Sequence, residues 1–117
     1  MATERIRTGY KEVDILTSAA RTASGTSDEF FVNNYNELDG MIRATADTAL
    51  TSLGVDIQSY NQLLNQWVTI GSFTQITSTP STIEGINIVT GLRFKCRISY
   101  TLVGTSVTFA VGVILRI

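Results

Sequence analysis

The stretch Leu92-Arg93-Phe94-Lys95-Cys96-Arg97-Ile98-Ser99-Tyr100-Thr101-Leu102, followed by Val107-Thr108-Phe109-Ala110-Val111-Gly112-Val113-Ile114-Leu115-Arg116-Ile117, decides the fold. In its first half Leu92, Phe94, Cys96, Ile98, Tyr100 and Leu102 alternate with charged and hydroxyl side chains. In its second half Val107, Phe109, Val111, Val113, Leu115 and Ile117 alternate with Thr108, Ala110, Gly112, Ile114 and Arg116. Period-two alternation this long fits a strand with one buried face and fits a helix poorly. A tight turn at Gly104-Thr105 predicts a C-terminal β-hairpin pairing Leu102 with Val107, Tyr100 with Phe109, Ile98 with Val111 and Phe94 with Leu115. A slip by one residue would turn one apolar set to the other face, so that register is strongly specified. An isolated hairpin is unstable, so the rest of the chain must provide a covering layer.

Composition agrees. The 117 residues are 44% hydrophobic and 16% charged, with one Pro, which favours a single all-β domain. The net charge of −1 predicts no nucleic-acid or anionic-membrane partner. No apolar run approaches the ~20 residues of a membrane span. The opening Met1-Ala2-Thr3-Glu4-Arg5-Ile6-Arg7 carries no apolar core of a secretory signal.

Outward from the closing stretch, strands are predicted over 11–18, Phe30 to Val32, Leu38 to Asp47, 52–59, Val68 to Ile76 (bent or divided at Gly71) and Ile83 to Ile88. Residues 59–67 read two ways. Tyr60, Leu63, Leu64 and Trp67 have helical spacing behind Ser59 as a possible N-cap, and a compact loop serves equally. The outcome is an antiparallel β-sandwich or jelly roll of about eight strands over 11–117, preceded by an N-terminal arm over 1–10.

Chemistry has few places to sit. The chain has no histidine, so neither Ser-His nor Cys-His catalysis is open to it. Asp28 with Glu29, Glu37 with Asp39, Asp47 and Asp56 are the carboxylates that paired-acid hydrolysis would need, but the two close pairs fall in turns or at strand starts, where solvated acids are ordinary. No calcium-loop spacing occurs. Cys96 lies on the buried face of its strand as a small hydrophobe. The expectation is a protein without catalytic residues, cofactor or metal.

One charge feature stands out: no basic residue occurs between Arg43 and Arg93. Arg93, Lys95 and Arg97 share the outer face of the predicted hairpin, with Arg116 opposite Arg93 and Ile114 beside Lys95. Lysine and arginine there deter edge pairing, and an apolar residue among charges also suits an interface. The candidate contact residues are therefore Arg93, Lys95, Arg97, Ile114 and Arg116, together with Arg5, Arg7 and Tyr10 on the arm.

The chain resembles small bacteriophage virion proteins built as single β-sandwiches. The resemblance lies in Ile15 to Gly25, in Val55 to Ser59 with Trp67 and Ile70 to Thr74, and in Leu92 to Leu102 with Gly104 to Phe109. Asn61 to Asn65 departs from the family's Asp-Gly turn, and Val107 stands where a proline is common. The resemblance implies a head decoration or cement protein on the capsid surface. It would bridge major capsid protein subunits, commonly as a homotrimer, after assembly in the host cytoplasm. A tail or neck component is the alternative. A carbohydrate-binding sandwich, with Tyr35, Tyr60 and Trp67 stacking on sugars, is a third reading from another class.

Overall fold

The computed structural model describes residues 3–7 and 9–117. Its described residues form ten strands in two antiparallel sheets: β1 (Thr3–Arg7), β2 (Tyr10–Arg21), β3 (Gly25–Thr26), β4 (Phe30–Phe31), β5 (Glu37–Thr48), β6 (Ser52–Asn61), β7 (Gln66–Ser72), β8 (Glu84–Ile88), β9 (Lys95–Val103) and β10 (Ser106–Arg116). The first sheet runs β1-β2-β10-β5-β8. The second runs β3-β9-β6-β7, with β4 also paired to β9.

The alternation seen in the sequence fixes what lies between the sheets. Val107, Phe109, Val111, Val113 and Leu115 of β10 face inward with Val13, Ile15, Leu38 and Ile42. Leu53, Val55, Ile57, Cys96 and Ile98 face them from the second sheet. Side chains of this size each contribute about 1.5–3 kcal/mol on burial, so every inward position counts.

The predicted C-terminal hairpin is corrected. β9 and β10 do not pair. β9 lies in the second sheet between β6 and the short strands β3 and β4, whereas β10 is central in the first sheet between β2 and β5. The Gly104 turn is an arch that carries the chain across the core. Residues expected as ladder partners instead face each other between the sheets: the rings of Tyr100 and Phe109 meet edge to face at 5.3 Å. The β5–β6 turn is a second arch beside the first, and Thr51 N donates to Val103 O at 2.8 Å. Alternation with a tight turn is common to hairpins and arches. Which one forms depends on partners distant in sequence.

Residues 59–67 form no helix. Tyr60 and Asn61 end β6, and Trp67 pairs directly with Tyr60 across the β6–β7 hairpin. Asn61 Oδ1 accepts the amides of Leu63 and Leu64 at 3.0 and 3.1 Å, a local side-chain turn that replaces the N-cap reading of Ser59. Residues 3–7, expected within an arm, pair by backbone with Tyr10 to Asp14 as the edge strand β1. Residues 1, 2 and 8 of the expected arm lie outside the described residues. Lys11 ties this edge to the other sheet: its buried ammonium meets Glu4 at 2.8 Å and the Phe31 carbonyl at 3.4 Å.

Candidate functional site

The candidate contact residues divide between two opposite faces. Lys95 and Arg97 alternate with buried Cys96 and Ile98, so they project from the outer face of the second sheet. Cross-strand pairing sets Arg97 beside Gln58, and Gln58 beside Thr69. The paired Tyr60 and Trp67 sit one row along, their ring centroids 5.2 Å apart at 64°.

The two cations lie over these rings. The Arg97 guanidinium is 4.3 Å from the Trp67 centroid, and its Nε donates to Gln58 Oε1 at 2.8 Å. Lys95 Nζ is 4.9 Å from the Tyr60 centroid and 5.7 Å from that of Trp67, and it meets Glu29 at 2.6 Å. Cations held over aromatic faces are attracted by the ring quadrupole, so both side chains are fixed rather than freely solvated. Ser99, Asp56 and Ser72 continue the face in the next row, where Ser72 donates to Asp56 at 2.7 Å.

Arg93 is not in this row. It is exposed in the segment before β9, and its backbone N donates to the buried Ser59 Oγ at 3.0 Å. The expected opposition of Arg93 and Arg116 does not occur, because the strands that would have paired them belong to different sheets. Arg116 pairs across β10 with Tyr10 and Glu37.

Ile114 and Arg116 project from the outer face of the first sheet, away from Lys95. Ile114 is flanked by Glu12 on β2 and Asp39 on β5. Gly112 is flanked by Asp14 and Met41. Met41 is 43% exposed, and with half-buried Ile114 it makes a short apolar ridge. Gly112 and Gly85 leave a shallow depression on either side of that ridge. An ionic rim surrounds it: Arg116 pairs with Asp39 and lies 3.8 Å from Glu37, and Asn87 Nδ2 donates to both carboxylates at 2.6 and 2.7 Å. Tyr10 lies at the same end and donates its hydroxyl to Glu12 at 2.7 Å. Arg5 and Arg7 belong to β1 by backbone, and their side chains lie outside the described residues.

The carboxylates considered for hydrolysis serve other bonds. Glu29 pairs with Lys95, Glu37 and Asp39 with Arg116, and Asp56 with Ser72. Asp47 accepts from Thr79 and from the Leu50 amide. Cys96 is buried between the sheets; burial pushes its thiol from 9.0 up to about 11, opposed by a hydrogen bond with Ser59. Tyr35 packs against the core beside Lys11 rather than with Tyr60 and Trp67.

The sequence reading singled out Ile114, Arg116, Lys95 and Arg97, but joined them into one face. It missed Met41, Gly112 and Gln58. Met41 stands between Gly40 and Ile42 in an apolar run, so only its place on the outward phase of β5 could have marked it.

No protein-family model and no curated protein sequence matches the chain. Solved structures do resemble it. The SPBc2 prophage-derived protein YomS superposes with a TM-score of 0.59 at 16% identity, over 95% of this chain and 98% of that one. The Clostridium thermocellum xylanase 10B CBM22-1-GH10 structure, complexed with xylohexaose, gives 0.55 at 11% identity over all of this chain and 24% of that one. A CBM4 structure gives 0.50 at 16% identity, over 98% of this chain and 74% of that one. At such identities the likeness shows the fold: the chain is a β-sandwich of the kind that also occurs in a prophage protein and in carbohydrate-binding modules.

Proposed function

We propose that this chain is a non-catalytic bacteriophage structural protein that decorates the head. In this reading it seats the outer face of its first sheet on the capsid shell and bridges major capsid protein subunits as a homotrimer. The observation that carries the reading is the Met41–Ile114 ridge between the Gly112 and Gly85 depressions, enclosed by Glu12, Asp39 and Arg116. An apolar centre with a polar rim is the anatomy of a specific protein interface, and knobs beside small-residue holes provide its shape. The end-to-end likeness to a prophage-derived protein supports a phage origin. A chain without histidine, whose acids are held in structural bonds, supports a non-catalytic role.

The test is occupancy on purified shells of the encoding phage. Met41→Glu and Ile114→Glu point outward, so both variants should fold. Met41→Glu, between Gly112 and Gly85, should keep the wild-type melting temperature, and Ile114→Glu, between Glu12 and Asp39, should melt slightly lower but cooperatively. Each should lower occupancy at least tenfold, because each places an unpaired charge at the centre of a desolvated contact. Arg97→Gln, on the opposite face, should bind the shell as the wild type does. Full occupancy by both Glu variants would remove the first sheet from the contact.

A further inference from the structure

We propose that the outer face of the second sheet binds an acidic polysaccharide, with Arg97 and Lys95 taking its carboxylates and the Tyr60–Trp67 pair supporting its sugar rings. The inference stands apart from shell docking, because this face points away from the Met41–Ile114 ridge and leaves it unobstructed.

The geometry favours an anion. Arg97 is fixed at two points, by stacking 4.3 Å from the Trp67 centroid and by the 2.8 Å bond from Nε to Gln58. A guanidinium held by its Nε and one flat face keeps its terminal nitrogens free for the bidentate geometry that a carboxylate accepts. Lys95 stands two residues away on the same strand face, and the two cations lie 5.7 and 4.3 Å from the one Trp67 centroid. Two cations gathered on one ring suit a chain that carries a carboxylate on each of its units. Glu29, 48% exposed, holds Lys95 at 2.6 Å and is the internal carboxylate an incoming one would replace.

The rest of the face decides between a saccharide and an acidic protein segment. Around the aromatic pair stand Gln58, Thr69, Ser72, Ser99 and Asp56, amides, hydroxyls and a carboxylate with no aliphatic centre. Protein interfaces are built on apolar cores with projecting anchors. Here Trp67 is half-buried under Arg97, and beside Lys95 its cross-strand partner Phe31, 55% exposed and edge to face with Phe94 at 5.3 Å, presents a further ring. Flat rings set among amides and hydroxyls give a polyhydroxylated anion a stacking surface with donors and acceptors around it.

Trp67 is the only tryptophan, so its fluorescence reports directly on the face. The experiment titrates the full chain with galacturonic acid oligomers, with neutral xylo-oligosaccharides of equal length, and with poly-L-glutamate of equal charge. We expect a saturable fluorescence change with the galacturonic acid oligomers and at least tenfold weaker binding of the other two. Arg97→Gln should weaken that binding at least tenfold. Glu29→Gln, which frees Lys95 without touching the core, should tighten it severalfold, an effect that a merely structural ion pair would not give. Equal binding of neutral oligosaccharide would overturn the charge assignment, and equal binding of poly-L-glutamate would make the face a protein-docking site. A wild type that binds none of the three would overturn the proposal outright. Shell occupancy by Arg97→Gln separates failure here from failure of docking by the first sheet.

Discussion

Cys96 shows how one inward position shapes the response of the whole domain to pH. The thiol is fully buried, and burial outweighs its hydrogen bond with Ser59 to raise it from 9.0 to about 11. Between those values the unfolded chain gives up a proton that the folded chain keeps. Stability is therefore intact below pH 9 and falls as pH rises toward the folded value. The cost attributable to this group approaches roughly 2 kcal/mol at the top of the window. Cys96→Ala should lower stability uniformly through lost packing, yet lose less between pH 8 and pH 10.5 than the wild type. Urea unfolding of both chains at the two pH values measures this difference. Equal losses would assign the alkaline sensitivity to other groups. The same burial predicts that a soluble alkylating reagent leaves native Cys96 unmodified and labels it only on unfolding.

At the scale of elements, the arches determine which strands pair. Gly104 turns the chain from the second sheet to the first at φ 137°, and a Cβ there would stand 2.5 Å from the Ala49 carbonyl oxygen in the neighbouring arch. Both conditions exclude a side chain, so Gly104→Ala should cost about 2 kcal/mol or more. Thr105→Ala, at the adjacent exposed position, should cost little. Thermal melts of the two variants compare them directly, and equal melting temperatures would mean that the arches can part without loss. Arg21 braces another irregular place: it donates to the carbonyls of Thr17, Ala19 and Phe109, where the β2–β10 ladder slips. These contacts explain what was legible in the sequence. Alternation in β9 and β10 revealed two half-buried strands and their inward residues from Cys96 to Leu102 and Val107 to Leu115, because side-chain phase is local; Ile117, read with them, lies past β10 and is 73% exposed. It did not reveal pairing, because an arch and a hairpin share that phase and differ only in partners such as Met41 or Gln58. The candidate site inherited the error. Lys95 and Ile114 were rightly read as outward, and wrongly as neighbours.

For the whole molecule, the consequence is a sandwich with two unlike outer faces, one apolar with an ionic rim and one aromatic with two cations held over its rings. If the first meets the shell and the second meets solvent, copies of the chain can meet each other only at the sheet edges and loop ends. The best-equipped of these is the β6–β7 turn, where Leu63 is 96% and Leu64 64% exposed. Asn61 holds both amides, and Tyr60 bonds Asn65 across the turn, so the leucines are presented on an ordered tip. Ordering before contact reduces the entropy lost on association. The proposed homotrimer should therefore form in solution, with a mass of about 38 kDa from a 12.8 kDa chain, measured by light scattering after size exclusion. Leu63→Ser combined with Leu64→Ser should reduce that mass to 12.8 kDa and leave a cooperatively folded monomer, since neither side chain touches the core, with a melting temperature lowered only by the lost association. A wild-type monomer at every concentration would leave trimer formation to the shell itself. A ring of six or more would move the protein from head to tail, since a larger closed ring suits a tube rather than a local three-fold position. A trimer that survives the double substitution would shift subunit contact to the edges of the sheets, where β1 and β7 are the strands to alter next.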